Sequence, residues 1–195
     1  MSSVPTPRAE KPLFIPVILG TPRQGRWSEH VARFVTGEIG RFPGVETDFV
    51  DVRDLPIPIT GAGEDVKDRG FSELCMRADA FVLVAPEYNH GYPGLLKHVL
   101  DTNLKEYIHK AVGICGVSAG SFGGTRVIQN MLAVMRELGL VTIFWDGNFS
   151  GVQTAFAADG TLLDKAYVRR IEKFAKELIW MAKVLRYGRE NVALE

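Results

Sequence analysis

Short apolar runs alternate with amphipathic stretches from residue 13 onward, and this alternation is the feature that most restricts how the chain folds. Five runs have the length and apolar character of buried strands: residues 13–20, 45–52, 80–85, 111–117 and 140–145. Five stretches with helical spacing follow them, at residues 28–39, 64–77, 93–107, 124–138 and 162–185. Apolar strands that alternate with helices are typical of a parallel sheet covered on both faces. The sequence therefore predicts an α/β fold, a doubly wound sheet of five parallel strands with helices on both faces.

Residues 13–195 are expected to form a single domain, because no internal repeat, low-complexity tract or linker divides them. Residues 1–12 contain three prolines and no apolar segment, which predicts a flexible arm rather than a secretory signal. Pro16 lies inside the first apolar run. Because proline donates no hydrogen bond to a sheet, we expect that strand to pair fully only from about Val17.

Charge and cysteine content narrow the classes of function. The 23 basic and 23 acidic residues give a formal net charge of zero, so a nucleic-acid partner is not expected. The apolar runs are far shorter than the ~20 residues of a membrane span, so no membrane is expected either. Cys75 and Cys115 form no CxxC pair, which favours two buried, reduced thiols in a cytoplasmic protein over a metal or dithiol site.

Three loops follow the first, third and fourth predicted strands, where a doubly wound sheet binds its ligand. Loop 1 (residues 20–28) runs into the first predicted helix, whose free N–H groups favour a phosphate. Its hydroxyl groups, arginines and indole are the candidate binding groups: Thr21, Arg23, Arg26, Trp27 and Ser28. Loop 1 contains neither GxGxxG nor GK[ST], so one terminal phosphate fits better than a pyrophosphate. The alternative is a plain turn with a serine cap and two solvated arginines.

Loop 2 (residues 86–94) combines aromatic, amide and glycine residues in front of a helix. Such a loop suits the edge of a flat heterocycle, which meets backbone N–H and C=O groups there. The candidate binding residues are Pro86, Glu87, Tyr88, Asn89, His90 and Gly91. The alternative is an ordinary turn with Asn89 and Gly91 in left-handed conformations.

Loop 3 (residues 116–124) sets small residues around one phenylalanine, which lets the main chain approach a ligand closely. The candidate binding residues are Ser118, Ala119, Gly120, Ser121, Phe122 and Gly123. The same segment also reads GxSxG, the nucleophile elbow of α/β hydrolases. That elbow requires a histidine downstream of the serine, and all four histidines lie upstream of Ser118. A hydrolase is therefore disfavoured.

Together these loops resemble the NAD(P)H-dependent FMN reductase family of flavodoxin-like proteins, relatives of azoreductases, chromate reductases and quinone reductases. The Pro-Glu-Tyr-Asn run that begins at Pro86, with Pro-Gly-Leu-Leu-Lys at residues 93–97, resembles the most specific family signature. Loops 1 and 3 resemble its other two loops, and the whole resemblance covers about residues 13–187. Thr21 replaces the commoner serine, and His90 stands where relatives often carry a small polar residue. The resemblance implies the strand order 2-1-3-4-5.

The resemblance also implies a bound FMN, with its phosphate on Thr21, Arg23 and Ser28 and its ring between loops 2 and 3. NADPH or NADH would supply hydride, and a quinone, azo compound, chromate or flavin would take the electrons. No side chain is expected to act as a catalytic acid or base, since the cofactor carries the chemistry. The alternatives are a flavodoxin-type electron carrier and a flavin-binding regulatory protein. The arginines of loop 1 and the zero net charge disfavour the carrier.

The predicted helix at residues 124–138 carries apolar side chains over an arc wider than one core-facing stripe. They are Val127, Ile128, Met131, Leu132, Val134, Met135 and Leu138. A helix that lies deep in a groove of the sheet explains the same pattern. The family resemblance favours a homodimer, or a dimer of dimers, with its sites near the interface.

Overall fold

A parallel β-sheet forms the centre of the computed structural model, which describes residues 11–61 and 63–194 apart from the side chains of residues 63 and 64. The strands are β1 (Leu13–Phe14), β2 (Val17–Leu19), β3 (Val45–Glu46), β4 (Phe49–Asp51), β5 (Ala80–Pro86), β6 (Lys110–Val117), β7 (Leu140–Thr142) and β8 (Gly147–Phe149). Strands β4, β2, β5, β6 and β7 lie side by side in that order, and each of these pairs is parallel. Of the arm predicted at residues 1–12, residues 1–10 lie outside the described residues.

The main strands follow the predicted order 2-1-3-4-5, and the α/β fold is confirmed. The predicted count of five strands is too low, because two of the apolar runs are each divided into two strands and one further strand, β8, follows the last run. Pro16 separates β1 from β2, and pairing with both neighbours of β2 resumes at Val17, as predicted. The last run stops pairing at Thr142, and β8 then pairs with the same edge of β6 further along.

Helices cover both faces of the sheet, as predicted. The described residues contain α1 (Ser28–Gly40), α2 (Arg69–Arg77), α3 (Gly94–Asp101), α4 (Thr125–Glu137), α5 (Val152–Ala155) and α6 (Ala166–Asn191). Helices α1 and α6 pack on one face in a core with strand residues such as Val82. Helices α2, α3 and α4 pack on the other face, where Phe81 and Leu83 point. Alternate residues of one strand therefore serve two separate cores.

Two helices are shorter than predicted. The helix expected at residues 64–77 begins only at Arg69, because the Asp68 carboxylate accepts a hydrogen bond from Phe71 N at 2.7 Å and caps it. The helix expected at residues 93–107 ends at Asp101. There the Thr102 hydroxyl donates to the Val99 carbonyl at 2.8 Å, and such side-chain bonds compete with helix continuation.

Helix α6 begins at Ala166 instead of residue 162 and continues past its predicted end at residue 185. Its last turns hold the first described residues of the chain. The Arg186 guanidinium donates to the carbonyl oxygens of Lys11 and Pro12 at 2.6 and 2.8 Å. The two ends of the described chain therefore lie on the same side of the molecule.

Candidate functional site

The three loops meet at the carboxyl edge of the sheet, because the parallel strands that precede them are hydrogen-bonded neighbours. Gly20 N donates to Val84 O at 2.9 Å, and Glu87 N donates to Val117 O at 2.8 Å. Ser118 N donates to the carbonyl of Phe149, the last residue of β8, at 3.0 Å. These bonds set the mouths of loops 1, 2 and 3 side by side around a cleft of about 350 Å³.

The cleft is lined by residues from all three predicted loops. From the predicted set, its lining includes Arg23, Arg26, Trp27, Ser28, Pro86, Glu87, Tyr88, Ser118 and Ala119. The predicted residues outside its lining are Thr21, Asn89, His90, Gly91, Gly120, Ser121, Phe122 and Gly123. Val152 and Gln153 of α5 line the cleft and were missed, because α5 and the strand before it were not predicted from the sequence.

Ser28 offers a hydroxyl group that nothing in the described part of the protein satisfies. It opens helix α1, its exposed fraction is 2%, and its Oγ is buried without a hydrogen-bond partner among those residues. A buried polar atom left unpaired is uncommon in a native protein unless a ligand, ion or water completes it. Together with the positive end of α1, this hydroxyl makes the start of the helix suitable for an anion.

Arg23 extends from loop 1 over loop 2. Its guanidinium lies 4.0 Å from the centre of the Tyr88 ring, and its side chain has no ion-pair partner among the described residues. Stacking on the ring uses the face of the guanidinium and leaves the N–H groups in its plane free for an anion. Below it, Thr21 is fully buried, and its Oγ1 shares a hydrogen bond of 3.2 Å with the Tyr88 hydroxyl.

Arg26 is buried rather than solvated, in contrast to the alternative that treats loop 1 as a plain turn. Its Nη1 donates to the Thr21 carbonyl, and its Nη2 donates to the Asp51 carboxylate. Nη2 also lies 3.4 Å from Glu29 Oε2. The planar fork expected to face a phosphate is therefore engaged by oxygen atoms of the protein itself.

Loop 2 contains a tight two-residue turn. Tyr88 and Gly91 exchange two backbone hydrogen bonds of 2.9 Å, and the residues between them, Asn89 and His90, have φ of 49° and 65°. Two consecutive left-handed residues between a bridged pair are typical of a type I′ turn. The alternative reading located the left-handed positions at Asn89 and Gly91, and the second of these is wrong, because a type I′ turn needs its two central residues left-handed.

Glu87 connects loop 2 to helix α4. One carboxylate oxygen accepts from the backbone N–H groups of Arg126 and Val127 at 3.2 and 3.4 Å, and the other lies 3.1 Å from His90 Nδ1. Burial alone would raise the pKa of Glu87, but the hydrogen bonds from His90, Val127 and Arg126 outweigh it, and the pKa lies below its usual range. The carboxylate is therefore charged and caps the positive end of α4.

Small residues in and beside loop 3 serve contacts within the protein. A Cβ on Gly116 would lie 2.5 Å from the carbonyl oxygen of Gly124, a separation that real side chains do not adopt. Gly123 and Gly124 have φ of 59° and 74°, in the left-handed region that glycine adopts without strain. Three glycines thus let the start of α4 approach the end of β6.

The tip of loop 3 is exposed. Residues 119–122 are open to solvent, and the Phe122 ring, 62% exposed, lies 4.6 Å from the Arg126 guanidinium. The Ser118 hydroxyl donates to the Gly120 carbonyl at 3.0 Å, a bond within its own loop. The Ser118 hydroxyl is thus engaged within its own loop, whereas an activated nucleophile needs a base beside it.

In the described ranges, no cluster of three or more His, Cys, Asp or Glu side chains is arranged to hold a metal ion. Within the same ranges, no helix combines the length and apolar character required to cross a membrane.

The sequence profile of the NADPH-dependent FMN reductase family matches residues 14–149. An NADPH azoreductase of Bacillus sp. (strain OY1-2) is 30% identical over 122 residues, which are 60% of this chain and 65% of that protein. The chain thus spans slightly less than two thirds of the azoreductase. An NAD(P)H-dependent FMN reductase of Pseudomonas aeruginosa is 27% identical over 180 residues, 86% of this chain and 94% of that protein.

Solved structures share the fold. The flavoenzyme FerB of Paracoccus denitrificans, an NAD(P)H:(acceptor) oxidoreductase, superimposes with a TM-score of 0.72 at 20% identity. The match covers 88% of this chain and 98% of that one. At this identity the likeness supports only the arrangement of the sheet and helices. The chemistry of this protein is therefore inferred from the residues of its own cleft.

Proposed function

Because the chain belongs to the NADPH-dependent FMN reductase family, we propose that it binds FMN in the cleft between loops 1, 2 and 3 and catalyses reduction of a small-molecule acceptor by NADPH or NADH. The observation that carries this proposal is the buried Ser28 hydroxyl, unpaired among the described residues and set at the positive end of α1. It is the kind of donor that a terminal phosphate would complete.

The rest of loop 1 fits the phosphate of FMN. Arg23 keeps its in-plane N–H groups free while it stacks on Tyr88, and no acidic side chain among the described residues pairs with it. A charge-assisted hydrogen bond from such an arginine is stronger than one between neutral groups. Ser28 and Arg23 are therefore the proposed phosphate ligands, and Thr21 supports the loop through Tyr88.

Loops 2 and 3 would hold the flavin ring, because residues of both loops line the cleft. The type I′ turn fixes loop 2, and Glu87 fastens it to α4, at the base of loop 3. When bound, FMN supplies the capacity to accept hydride from a nicotinamide and to pass electrons on. The protein residues bind and orient the reactants, and no side chain is assigned as an acid or base.

The acceptor is proposed to be a quinone, an azo compound, chromate or a flavin. The azoreductase among the relatives supports the azo class. The exposure of residues 119–122 and of His90, in the loops that border the cleft, supports an exchangeable second substrate.

The decisive experiment is to purify the protein, release any bound flavin and identify it, then measure steady oxidation of NADPH with a quinone or azo acceptor. Bound FMN with sustained turnover supports the proposal. FAD as the bound species contradicts it, and FMN without steady NADPH oxidation favours the electron carrier or the regulatory protein.

We also propose that the protein is a homodimer or a dimer of dimers. Most of the apolar arc on α4 is buried in the core, including Val127, Ile128 and Met131, so the deep-groove explanation accounts for those residues. Leu132 and Leu104 stay 36% and 54% exposed on the same side of the sheet and support a contact there. Light scattering should give twice the chain mass of 21.6 kDa or a multiple of it. A monomer that turns over NADPH would contradict the dimer.

A cytoplasmic location is proposed for the same protein. Cys75 and Cys115 are free and buried, and a reducing compartment maintains such thiols. Fractionation of cells that produce the protein should recover it with cytoplasmic markers, and recovery in an oxidising compartment would contradict the proposal.

A further inference from the structure

Among the residues of loop 1, Arg26 departs most from its predicted role. It was expected to bind the cofactor, and its guanidinium instead contacts oxygen atoms of the protein. The side chain is 2% exposed. It contacts both the start of loop 1 and the end of β4, which lie far apart in the sequence. We propose that Arg26 and Asp51 form a buried brace that holds loop 1 in the shape that binds the FMN phosphate. Arg26 is then a positioning residue. This inference rests on the proposed function.

Asp51 is a fixed partner for this brace. It is the last residue of β4, its side chain is 4% exposed, and it accepts a hydrogen bond from Arg53 N at 3.0 Å that caps a short 3₁₀ turn. Because β4 pairs with β2 through Asp51 and Leu19, the carboxylate is anchored to the strand from which loop 1 emerges.

On the loop side, Arg26 donates to the Thr21 carbonyl and thereby ties the end of loop 1 back to its beginning. Gly25, with φ of 62°, makes the reversal that brings Arg26 under Thr21. Ser28 lies two residues further on, so the position of its unpaired hydroxyl depends on where the brace fixes Arg26.

The alternative is that Arg26 binds the phosphate directly. Its Nε is buried and has no hydrogen-bond partner among the described residues, whereas both Nη atoms have partners. If the guanidinium served the phosphate, Asp51 would compete for it. Removal of the Asp51 carboxylate would then leave FMN affinity unchanged or increase it, since a positive charge would be released near the phosphate. The brace predicts the opposite sign.

The test measures the dissociation constant of FMN by quenching of its fluorescence in wild type, Asp51→Ala and Asp51→Asn. We expect Asp51→Ala to weaken binding at least about tenfold, the scale on which outer-shell partners act at metal sites. Asp51→Asn keeps an acceptor for Arg26 and should restore part of the affinity. Asp54→Ala is the matched control, because Asp54 is an acid of the same turn with a side chain 71% exposed, and it should leave affinity unchanged.

A second variant covers the case in which an unpaired Arg26 prevents folding. The double substitution Arg26→Met with Asp51→Leu replaces a buried ion pair with apolar side chains, a change that proteins often tolerate. It should fold and bind FMN at least about tenfold more weakly than wild type does. Unchanged or tighter FMN binding in Asp51→Ala, or wild-type affinity in the double variant, would overturn the brace. Failure of the wild type to bind FMN would instead overturn the proposed function.

Discussion

At the scale of single residues, the candidate site is distinguished by donors that the protein does not use itself. The side chains of Ser28 and Arg23 have no hydrogen-bond partner among the described residues, whereas both Nη atoms of Arg26 are bound to oxygen atoms of the protein. The two arginines have different roles, and residue type alone does not distinguish them. The difference depends on Asp51, which pairs with Arg26; it is distant in sequence and is brought close by the pairing of β4 with β2.

Ser28→Ala should have opposite effects on affinity and on stability. A hydrogen bond to a charged group contributes about 1.5–3 kcal/mol, so FMN binding should weaken about tenfold or more. Without FMN, the free energy of unfolding should stay equal or rise slightly, because the variant removes a buried hydroxyl that has no partner in the described protein. Flavin titration and urea unfolding check the two effects. A loss of stability without FMN would show that Ser28 serves the fold.

Arg23→Ala should weaken FMN binding about 10- to 100-fold, because it removes a charge-assisted bond to the phosphate. Fluorescence titration measures the effect. Arg41→Ala is the control: this arginine follows the far end of α1 and is 72% exposed, paired with Glu38. Equal affinity in the two variants would mean that the phosphate binds elsewhere.

At the scale of elements, the apolar runs predicted which segments form strands and helices but not where each stops. Pro16 predicted the break in the first strand, because proline lacks an N–H group. The stop of α3 depends on the Thr102 hydroxyl, and the missed strand β8 depends on Gly147, which lies against Cys115 of β6. The contact of Gly147 with Cys115 is tertiary, so no local pattern in the sequence reveals it, whereas the Thr102 hydroxyl bonds locally, to a carbonyl three residues before it.

The same limit applies to the candidate site. Nine of the residues that line the cleft were predicted from the sequences of the three loops. Val152 and Gln153 were missed, because α5 follows β8, which was not predicted. The small residues of loop 3 were also interpreted together as allowing the main chain to approach a ligand. Gly116 and Gly124 instead meet each other, which only the packing of α4 on β6 determines.

Gly116→Ala should destabilise the protein, since its Cβ would meet backbone atoms of Gly123 and Gly124 that cannot rotate away. Overpacking of this kind costs about 1–3 kcal/mol. Gly120→Ala is the matched control in the same loop, because nothing lies within 4 Å of the added Cβ, and its effect should stay within about 0.5 kcal/mol. Urea unfolding of both variants measures the difference, and equal stability would argue against the close approach of α4 and β6.

At the scale of the whole molecule, different groups lie at the two ends of the parallel strands. The cleft lies at their carboxyl ends, and a buried amine lies at the amino end of β6. Lys110 begins β6, is 5% exposed, and donates to the carbonyls of Cys75 and Met76 at the end of α2, 2.7 and 2.9 Å away. Burial, followed by the nearby charge of Arg189, lowers the pKa of Lys110 to about 8.

This pKa predicts how the stability of the whole protein changes with pH. The ordinary value for lysine is 10.5, so between about pH 8 and 10.5 the unfolded chain keeps a proton that the folded protein has lost. The contribution of Lys110 to the free energy of unfolding therefore rises across this window and is constant below it. Urea unfolding of wild type and Lys110→Met should give a difference that moves in favour of wild type from about pH 8 to about pH 10. A difference that is flat or falls would contradict the lowered pKa.

The hydrogen bonds from Arg186 of α6 to Lys11 and Pro12 bring the two ends of the described chain close together. The elements could therefore keep their arrangement in space if their order along the chain were changed. A circular permutant can join the two ends of the described chain through an inserted flexible linker, because the last helical residue, Asn191, lies only about 7–8 Å along α6 from Arg186. New ends opened between Ile59 and Thr60, both exposed, leave all three loops of the cleft continuous. Such a permutant should fold and bind FMN as the natural chain does, as circular dichroism and flavin titration can measure. If it did not, folding would depend on the order of the elements along the chain as well as on the contacts of the native structure.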